Sequence, residues 1–535
     1  MNKRVVGGAI VTAIAIVYLH LVLSVYYWLA DLRGSGLVAP TWDHLALVAL
    51  LVGLGWWGTR RQWLARGLPI GLTVLLVAFF LLGIAQGFAR REFGYDVVLA
   101  LHLAYVPELF KMLYDGETLG MFLVYIAMLA AVLALITAGV HAAIGRVLRE
   151  AGATRNRRIG IAAGTAAYAV IAIPLAGIHG PLTAEMGRQI DTALHIEQHL
   201  DEAGQRMTLE TSWLKKRNPF RQLERPPTIY VFMIESYGRA LFTDDFPQFQ
   251  SYAGTAEGKL RQAGYGLRSR YLTAPVFGGS SWMANATLLC GVRIQDQKRF
   301  EALYRSEVAC LPRLLNEAGY HTILAASNIT YYDERFMGVL PFKQLYYRDN
   351  LGYKGPRFTW SYMPDQYTIQ FVHERELTKR GDTPTLAYFI LTSSHHPWSK
   401  LPRYVADWNT IGDGSIFARL PPQKFRNSFV GGKQVNQGFA MSIEYSFQVV
   451  VEYLLREAVD DNTLVIVMGD HQPRAPIADL KKDTWDVPVH ILSRNPALVE
   501  SFAALGYTPG FTPNPDAPDV PMEGFLLHLL KALAP

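Results

Sequence analysis

Polar groups that can bind a metal follow three predicted buried strands, at the point where each strand ends. They are Glu235 after TIYVFMI, His395 and His396 after TLAYFILTSS, and Asp470 and His471 after TLVIVMG. Because ligands of open α/β sheets gather beyond the carboxyl ends of the strands, we expect these groups to meet in one site. Two carboxylates and one imidazole suit zinc or manganese, and they leave a coordination position for a nucleophile or a substrate.

Two adjacent serines could supply the nucleophile. Ser280 and Ser281 follow two glycines in VFGGSSWMANATLLCG (276–291) and precede an apolar run that predicts a helix. The first turn of a helix presents free N–H groups to a phosphoryl group. A serine oxygen next to a metal ion is more acidic than a free hydroxyl, and so becomes a nucleophile near neutral pH. The local residues alone are equally compatible with a serine-rich turn that has no catalytic role.

The strands that carry these groups belong to the second part of the chain. From Thr228 onward, continuous apolar runs alternate with amphipathic stretches, a pattern that predicts a mostly parallel α/β sheet. We therefore assign residues 226–535 to an α/β catalytic domain. The polar segment 179–225 is predicted to be a helical linker, or stalk, in front of it.

The first third of the chain is strongly apolar, in a protein of 535 residues that is 50% hydrophobic and 18% charged. Five hydrophobic runs are long enough, or nearly so, to cross a bilayer, and they lie near residues 5–30, 42–58, 68–88, 119–144 and 159–178. The basic clusters at 60–66 and 145–158 lie between these runs, so the positive-inside rule places them in the cytoplasm. This predicts an α-helical membrane domain over 1–178, with the remainder of the chain outside the cytoplasm.

Three further features bear on partners and stability. The same basic clusters account for much of the formal charge of +6, so we expect no nucleic-acid binding.

Residues 96–115 predict an amphipathic helix, which lies either in the outer membrane interface or packed between spans. Cys290 and Cys310 form either a disulfide, which an oxidising compartment permits, or two buried thiols.

The motifs taken together resemble the sulfatase-like branch of the alkaline phosphatase superfamily, and more closely its membrane-anchored lipoteichoic acid synthases and phosphoethanolamine transferases. The matching segments, in chain order, are the strand ending in IES, CLPRLLNEAGYHTILAAS (310–327), LTSSHHPW (391–398), DNTLVIVMGDH (461–471) and DVPVHIL (486–492). The resemblance implies about five transmembrane helices in a bacterial inner membrane, followed by a sulfatase-like domain in the periplasm or extracytoplasmic space. It also implies one divalent metal ion, Mn²⁺ or Zn²⁺, with Mg²⁺ as an alternative.

The resemblance also implies roles for individual residues. Glu235, Asp470 and His471 would bind the metal together with the nucleophile oxygen, and His395 would contact the substrate phosphate and protonate the leaving group. Sulfatases carry a cysteine–x–proline–x–arginine motif before leucine, leucine, a small residue and glycine. That register places Ser281 at the cysteine, Met283 at the proline and Asn285 at the arginine, whereas a shorter glycine–hydroxyl motif of the phosphotransferases would select Ser280.

Four further residues are predicted to bind the substrate. Arg335 lies where related enzymes place a substrate-binding arginine. His396 and Trp398 would line the pocket, and Asn285 is the fourth residue of this group. His490 is predicted to be a core histidine with satisfied hydrogen bonds, because it lies inside an apolar strand, and His321 is predicted to be structural.

These features predict a transferase that takes a phosphoglycerol or phosphoethanolamine headgroup from a membrane phospholipid. Ser281 would form a covalent intermediate, and a glycan or lipid outside the cytoplasm would accept the group. The alternatives are a phosphodiesterase or sulfate-ester hydrolase on the same scaffold, and a protein that has kept the fold without activity. The absence of the cysteine motif argues against a true sulfatase, since formylglycine cannot form from this context.

Overall fold

The structure is a computed structural model of the full chain. It describes residues 3–30, 41–58, 62–107, 110, 119–176, 182–216, 218–329, 334–358, 360–425, 432–457, 459–479 and 483–533. These described residues divide into two compact units, Met1–Ile196 and Glu197–Pro535. The boundaries that we predicted from sequence, at 178 and 225, remain predictions.

The first unit is helical. Its described helices are α1 (Lys3–Ala30), α2 (Trp42–Gly58), α3 (Gln62–Glu92), α4 (Leu99–His102), α5 (Leu119–Ala153), α6 (Arg155–Ala176) and α7 (Leu182–Leu194). Its apolar core includes Leu19 and Leu23 of α1, Leu51 of α2 and Ile144 of α5, all buried. Many other apolar side chains of these helices are exposed, as expected for surfaces that face lipid.

Each of the five predicted spans coincides with a helix. Among the described residues, three segments are long and apolar enough to cross a membrane, namely Gly7–Leu29, Gly67–Glu92 and Leu119–Ala153. The helices α2 and α6 are not among these three, and α2 is short at 17 residues. Residues 177–178 of the fifth predicted span lie outside the described residues. The first unit is thus a helical region with candidate membrane spans, and the number of crossings is approximate.

The amphipathic helix predicted over 96–115 is described only in part. It begins as the short helix α4 and a 3₁₀ turn, Leu103–Tyr105, and its residues 108–109 and 111–115 lie outside the described residues. In the same region the buried carboxylate of Glu185 on α7 accepts hydrogen bonds from the amides of Gln86 and Gln189, at 3.0 and 2.9 Å. The bond from Gln86 attaches α7, the first part of the predicted linker, to α3.

The second unit is built on one large sheet. Its described strands are β1 (Thr228–Ile234), β2 (Gly266–Thr273), β3 (His321–Ala326), β4 (Gln344–Tyr347), β5 (Thr385–Leu391), β6 (Lys400–Leu401), β7 (Gln423–Lys424), β8 (Thr463–Gly469), β9 (Asp486–Ser493) and β10 (Thr508–Pro509). Within the described residues, eight of them form a sheet in the order β10-β2-β9-β8-β1-β5-β3-β4, and β6 pairs with β7. The strands from β8 to β4 are parallel, and β9, β2 and β10 are antiparallel additions at one side. The mostly parallel α/β prediction is confirmed.

Helices surround this sheet. Those described from Ile196 onward are α8 (Ile196–Glu210), α9 (Ser212–Lys216), α10 (Pro247–Gln262), α11 (Ser281–Cys290), α12 (Gln297–Leu303), α13 (Leu311–Glu317), α14 (Glu334–Val339), α15 (Asp365–Arg375), α16 (Lys433–Arg456), α17 (Pro496–Glu500) and α18 (Phe525–Leu533). All seven residues of β1 are buried, as expected for a central parallel strand that is covered on both faces. The helices α8 and α9 confirm that the predicted linker is helical.

The fold tests two further predictions, which concern the two cysteines and His490. Cys290, at the end of α11, and Cys310, just before α13, form a disulfide, so the alternative of two free thiols is wrong. His490 on β9 is fully buried and bonded on both ring nitrogens, by the hydroxyls of Tyr237 at 2.9 Å and Ser269 at 2.6 Å. It is therefore a satisfied core histidine, as predicted.

Candidate active site

The register of two central strands brings the first acidic groups together. β1 and β8 run parallel, and Ile234 of β1 lies opposite Gly469 of β8. The next residue of each strand is a carboxylate, Glu235 after Ile234 and Asp470 after Gly469. Parallel neighbours end at the same edge of a sheet, so the two side chains emerge side by side, with His471 one residue further.

Glu235, Asp470 and His471 form a buried cluster of potential metal ligands. One ligand atom from each lies within 4.8 Å of the others, and their side chains are 4%, 1% and 1% exposed. His471 Nε2 lies 3.2 Å from Oε1 of Glu235 and 3.6 Å from Oδ2 of Asp470. The structure therefore brings together the three residues that the sequence singled out as metal ligands.

The orientation of the His471 ring is fixed by the backbone. Its Nδ1 lies 2.8 Å from the carbonyl oxygen of Gln472. Because a carbonyl oxygen only accepts hydrogen bonds, Nδ1 carries the proton, and Nε2 is the nitrogen turned toward the carboxylates. A metal-binding histidine commonly has its other nitrogen bonded in this way, which fixes the tautomer and the direction of the lone pair.

The charges of the cluster act strongly on one another. Burial and the neighbouring charge of Glu235 raise the pKa of Asp470 to about 7. Burial alone would lower the pKa of His471, but the charges of Asp470 and Glu235 raise it to about 9. Burial opposes ionisation of Glu235 as well, yet the positive charges of His471 and His395 lower its pKa overall.

These residues fit a divalent cation. The two buried carboxylates repel each other, and the positive charge of the His471 imidazolium offsets this repulsion. A bound cation would offset it in place of the imidazolium. The donors are two carboxylates and one imidazole whose lone pair has a fixed direction. This set matches zinc or manganese sites in which one coordination position stays open for a nucleophile or a substrate.

The hydroxyl of Ser281 lies on this cluster. Its Oγ donates to Oε2 of Glu235 at 2.8 Å and lies 3.2 Å from Nε2 of His471. Ser281 is also the first residue of α11, where backbone N–H groups are free to face an anion. The structure thus places the serine selected by the longer sulfatase-like register beside the potential metal ligands.

The loop before Ser281 is held in an unusual conformation. Ser280 has a left-handed backbone with φ of +65°, and the N–H of Gly278 donates to the carbonyl of Gln472 at 3.1 Å. The loop before Ser281 is therefore bonded to the loop that carries Asp470 and His471. Ser280 is buried, and its carbonyl accepts a hydrogen bond from the N–H of Met283 at 2.9 Å.

Positive backbone φ angles concentrate at this site. Among the residues that the structure describes, three non-glycine residues have positive φ, namely Ser236 at +60°, Ser280 at +65° and Trp398 at +24°. Each is at or next to a residue that we predicted to be functional. Such conformations cost about 1–3 kcal/mol each and persist where the surrounding contacts require them, commonly at active sites.

Asn285 supports the nucleophile turn from inside α11. It is buried, its amide donates to the carbonyl of Ser281 at 2.8 Å, and its Oδ1 accepts from the hydroxyl of Tyr388 at 2.6 Å. The structure therefore shows Asn285 as a brace between α11 and β5. Its predicted contact with substrate remains a prediction.

The loop after β5 brings His395 to the cluster. Burial lowers the pKa of His395, while the charge of Glu235 acts in the opposite direction. Its Nδ1 donates to the carbonyl of His396 at 2.5 Å, so Nε2 is the nitrogen available to a substrate in the neutral ring. The ring of Trp360 stacks on the imidazole, with centroids 5.1 Å apart and planes 23° apart.

His396 and Trp398 form the wall of the same loop. Their rings meet edge to face, with centroids 4.9 Å apart, and the indole N–H of Trp398 donates to the carbonyl of Ser394 at 2.7 Å. Burial, together with the charges of Arg474 and His395, lowers the pKa of His396 to about 3. His396 is thus neutral near physiological pH, and the pocket-lining role of both residues remains a prediction.

Arg335 lies against a different part of the second unit. Its guanidinium lies 4.9 Å from the ring centroid of Tyr304 and 3.6 Å from a carboxylate oxygen of Glu301, and its side chain is 66% exposed. These contacts describe a solvent-facing arginine on α14, and its predicted role in binding the substrate phosphate remains a prediction.

Sequence reasoning missed four residues that shape the site. Ser236 forms hydrogen bonds with Glu235 and Asp470. The ring of Trp360 stacks on that of His395. The positive charge of Arg474 helps to lower the pKa values of His395 and His396. The buried carboxylate of Asp365 accepts from the N–H groups of Thr392 and Ser393, at 2.8 and 3.1 Å, at the start of the His395 loop. Ser236 and Arg474 could have been suspected from their places beside the ligands in IES and GDHQPR.

Solved structures with a similar arrangement belong to several enzymes. The lipoteichoic acid synthase LtaP from Listeria monocytogenes is 13% identical, with a TM-score of 0.36, over 59% of this chain and 78% of that one. The periplasmic domain of EptC from Escherichia coli, in complex with Zn, is 12% identical, with a TM-score of 0.33, over 50% and 73% of the two chains. The phosphoglycerol transferase GacH from Streptococcus pyogenes, in complex with sn-glycerol-1-phosphate, is 11% identical, with a TM-score of 0.32, over 62% and 92%.

Two comparisons of sequence were made, with curated proteins and with protein families. No curated protein matches the chain significantly. Residues 291–498, which include β3 to β9, the His395 loop, Asp470 and His471, match the family model described as Sulfatase. This segment of the second unit is therefore similar to sulfatases, in agreement with the resemblance of its motifs.

Proposed function

We propose that this protein is a metal-dependent phosphotransferase that moves the headgroup of a membrane phospholipid to an acceptor outside the cytoplasm. The observation that carries the proposal is the position of Ser281, whose hydroxyl lies 2.8 Å from Glu235 and 3.2 Å from His471 inside a buried set of metal ligands. A nucleophilic serine in such a set is suited to attack a phosphoryl group.

The cation would be held by Glu235, Asp470 and Nε2 of His471. When bound, Mn²⁺ or Zn²⁺, with Mg²⁺ as the alternative, would supply Lewis-acid polarisation of the serine hydroxyl and of a phosphoryl oxygen. The residues around it supply orientation. The backbone N–H of Ser236 fixes Asp470 at 2.8 Å, and the Gln472 carbonyl fixes the tautomer of His471.

Ser281 would attack phosphorus, and the leaving group would be the hydroxyl of diacylglycerol. The Ser281 proton faces Oε2 of Glu235 at 2.8 Å, so this carboxylate accepts it as the oxygen–phosphorus bond forms. The diacylglycerol oxygen departs as an alcohol after taking a proton from the protonated form of His395, which becomes neutral. In the second step Nε2 of the neutral His395 takes the proton of the acceptor hydroxyl as the acceptor oxygen attacks phosphorus. The bond between phosphorus and the Ser281 oxygen breaks, and this oxygen takes back the proton held by Glu235.

The donor is assigned to the bilayer because the same chain has candidate membrane spans. The first unit contains three helices that are long and apolar enough to cross a membrane. A lipid donor is available only to an enzyme that works at the membrane surface, and phosphatidylglycerol and phosphatidylethanolamine present the phosphodiester that Ser281 would attack. We place the spans in a bacterial inner membrane and the site on its outer side, where a glycan or lipid hydroxyl accepts the group.

The proposal is tested with the full-length protein in lipid nanodiscs. Phosphatidylglycerol or phosphatidylethanolamine, labelled in the glycerol backbone, is supplied with Mn²⁺ or Zn²⁺, and labelled diacylglycerol is measured over time. We expect release from one of the two lipids, and a mass increase on the peptide that contains Ser281 equal to the headgroup phosphate. Absence of diacylglycerol from both lipids with both metals would contradict the proposal.

Hydrolysis is the second candidate, and the match of residues 291–498 to the sulfatase family model is the observation that favours it. Water would then replace the acceptor in the second step. Nitrophenyl phosphodiesters and nitrophenyl sulfate distinguish the two reactions. Fast release of nitrophenol without any acceptor indicates a hydrolase, whereas a single burst followed by acceptor-dependent turnover indicates a transferase.

A further inference from the structure

The loop that carries His395 begins with a turn that is held by a buried carboxylate. The turn runs from Thr392 to His395, and the N–H of His395 donates to the carbonyl of Thr392 at 3.0 Å. The carboxylate belongs to Asp365, the first residue of α15, which is 1% exposed. Oδ1 of Asp365 accepts from the N–H groups of Thr392 and Ser393, at 2.8 and 3.1 Å. Two consecutive residues of the turn are thus bonded to one oxygen atom.

Asp365 is itself fixed by contacts with two other parts of the second unit. Its backbone N–H donates to Oγ of Ser393 at 3.0 Å, so the two residues exchange hydrogen bonds. Its Oδ2 accepts from Oγ of Ser446, on α16, at 2.6 Å. The carboxylate therefore joins α15 and α16 to the turn, and both of its oxygens accept hydrogen bonds.

The other end of the same turn lies against the metal cluster. Ser394, which follows Ser393, donates from its Oγ to the carbonyl of Glu235 at 2.7 Å. His395 comes next, and the charges of Glu235 and His471 act on its imidazole. The direction in which His395 enters the site therefore depends on the backbone of a turn that Asp365 holds at its start.

The charge of Asp365 does not stabilise the fold. Burial raises the pKa of this carboxyl to about 6, although the hydrogen bonds from Ser446, Ser393 and Thr392 act in the opposite direction. Because this pKa is higher in the folded than in the unfolded chain, stability falls as the pH rises from about 4 to about 6 and stays lower above that range. A gain in stability therefore does not explain an ionised carboxylate at this position, whereas the turn depends on its oxygens.

We propose that Asp365 is a positioning residue that aims the imidazole of His395 at the leaving group of the reaction at Ser281. It acts through the N–H groups of Thr392 and Ser393 and does not contact the substrate. In the first step the Ser281 oxygen bonds to phosphorus, the bond from phosphorus to the leaving oxygen breaks, and the protonated form of His395 gives its proton to that oxygen. This role of Asp365 rests on the proposed function, because it acts through His395, but it does not require the donor to be a lipid.

A misplaced proton donor slows only those reactions whose leaving group needs a proton. Phenolate is a strong base and leaves phosphorus slowly unless it is protonated, whereas 4-nitrophenolate is a much weaker base and leaves as the anion. Methyl phenyl phosphate and methyl 4-nitrophenyl phosphate place the same methyl phosphate group on the serine. The two esters therefore separate a loss of proton transfer from a general loss of the site.

The test uses the full-length protein with Mn²⁺ in phosphatidylcholine nanodiscs, in excess over either ester, so that a single turnover is followed. Asp365→Ala should release phenol at least about tenfold more slowly than the wild type, because a displacement of about 1 Å can cost about a hundredfold in rate. It should slow the release of nitrophenol far less, by under about threefold. His395→Ala should separate the two esters in the same direction, since it removes the proton donor.

Two further variants show whether Asp365 acts through His395. Asp365→Ala/His395→Ala should release phenol no more slowly than His395→Ala, because the effects of residues that act as one unit are not additive. Asp365→Asn keeps an oxygen for the two backbone N–H groups, and its amide can donate to Oγ of Ser446. It should therefore release phenol within about threefold of the wild-type rate. It should also be at least as stable as the wild type at pH 7, since it removes a buried charge.

Asn495→Ala is the matched control for the loss of a side chain that binds backbone N–H groups. Oδ1 of Asn495 accepts from the N–H of Ala497 at 3.0 Å at the start of α17. This position follows β9 beside the start of β8, whereas Asp470 follows the end of β8. Asn495→Ala should lower the unfolding temperature and leave the ratio of phenol to nitrophenol release as in the wild type.

Hydrogen exchange, measured by mass spectrometry, tests the turn without catalysis. The amides of Thr392 and Ser393 should exchange faster in Asp365→Ala than in the wild type, because they lose their acceptor. They should exchange at the wild-type rate in Asp365→Asn and in Asn495→Ala. Unchanged exchange in Asp365→Ala overturns the proposal.

The kinetic results can overturn the proposal independently. Equal losses of phenol and nitrophenol release in Asp365→Ala would show that Asp365 only maintains the fold, and additive losses in the double variant would show that it acts apart from His395. Failure of the wild type to cleave either ester, or of His395→Ala to separate them, overturns it as well.

Diacylglycerol release from phosphatidylglycerol and phosphatidylethanolamine is measured with the same proteins. If neither lipid is cleaved while Asp365→Ala separates the two esters, the lipid transferase proposal fails and the role of Asp365 stands. If a lipid is cleaved and Asp365→Ala does not separate the esters, only the role of Asp365 fails.

Discussion

The backbone N–H of Ser236 donates a hydrogen bond to Oδ1 of Asp470 at 2.8 Å, across the ends of the neighbouring strands β1 and β8. The backbone N–H of His471 donates to the same oxygen, also at 2.8 Å. Oδ1 is thereby held by two main-chain donors, and Oδ2 is the oxygen that faces His471, at 3.6 Å. The orientation of Asp470, a potential metal ligand, is thus fixed by the backbone rather than by a mobile side chain.

The close approach of β1 and β8 depends on Gly469. A Cβ at this position would lie 1.7 Å from the carbonyl oxygen of Tyr237, which real side chains do not tolerate. Gly469→Ala should therefore separate the strand ends, destabilise the second unit by about 1–3 kcal/mol or more and weaken metal binding. Thermal unfolding and a metal titration measure the two effects.

Gly254→Ala is the matched control for that variant. Gly254 lies in α10 and is exposed, and a Cβ there meets nothing within 4 Å, so alanine should raise stability by about 0.5–1 kcal/mol. Equal effects of the two substitutions would show that Gly469 is not required for the close approach.

Ser236 also orients Glu235 through its side chain. Its hydroxyl donates to Oε1 of Glu235 at 3.1 Å, and its backbone is held at φ of +60°. Ser236→Ala removes the hydroxyl and keeps the strained backbone, whereas Ser236→Gly removes both the hydroxyl and the strain. We expect both variants to bind zinc about tenfold more weakly, because outer-shell partners typically contribute this much.

The stability of the two Ser236 variants should differ. A glycine adopts a left-handed backbone without the Cβ clash, so Ser236→Gly should unfold at a higher temperature than Ser236→Ala, by about 1 kcal/mol in free energy. Calorimetric zinc titration and thermal unfolding measure these quantities separately. Wild-type zinc affinity in Ser236→Ala would show that the hydroxyl does not orient Glu235.

The ends of β1, β5 and β8 explain why the cluster of Glu235, Asp470 and His471 could be predicted from the sequence. A buried parallel strand is recognisable from its apolar run, and parallel neighbours end at one edge, so Glu235, Asp470 and His471 could be placed together without coordinates. The mostly parallel sheet and the helix that begins at Ser281 follow from equally local patterns.

The residues that sequence reasoning missed act across long separations. Ser236 reaches Asp470 over 234 positions, and Trp360 meets His395 through a loop that has no periodic pattern. The contacts of Arg335 with Tyr304 and Glu301 were likewise not predicted from the sequence, and its role in substrate binding remains a prediction. Loop placement depends on tertiary packing, which local patterns do not encode.

The choice between the two serines predicts a clear difference in activity. Ser281→Ala should reduce turnover at least about a thousandfold, because it removes the nucleophile. It should still bind zinc, since Glu235, Asp470 and His471 are unchanged. Ser280→Ala should reduce turnover by no more than about tenfold, because the left-handed backbone is equally strained for alanine and serine.

Diacylglycerol release and the mass of the nucleophile peptide check this prediction. The headgroup adduct should persist in Ser280→Ala and vanish in Ser281→Ala. The reverse pattern would assign the nucleophile to Ser280 and favour the shorter glycine–hydroxyl motif.

The disulfide between Cys290 and Cys310 closes a loop of twenty residues behind the nucleophile helix. Cys290→Ser/Cys310→Ser should lower stability by about 3 kcal/mol, the value expected for a loop of this length. Unfolding in urea with and without a reductant measures the effect. The reductant should destabilise the wild type and leave the double serine variant unchanged, and equal stability of the two proteins without reductant would contradict the prediction.

Metal binding should depend on pH through the cluster itself. The charges of Asp470 and Glu235 raise the pKa of His471 to about 9, and burial with the charge of Glu235 raises the pKa of Asp470 to about 7. Coordination requires a neutral imidazole and an ionised carboxylate, so protons compete with the metal below these values. The affinity should be highest above about pH 9 and should fall about tenfold for each pH unit between 9 and 7, where one proton is displaced.

Below about pH 7 the carboxyl of Asp470 holds a second proton, so the affinity should fall more steeply. Calorimetric zinc titrations in buffers with different ionisation enthalpies count the protons released at each pH. Ser281→Ala removes the serine hydroxyl as a source of protons, so the protons that this variant still releases come from His471 and Asp470. An affinity that stays constant from about pH 6 to 9 would show that His471 and Asp470 do not exchange protons for the metal, and that the ion is held by other groups.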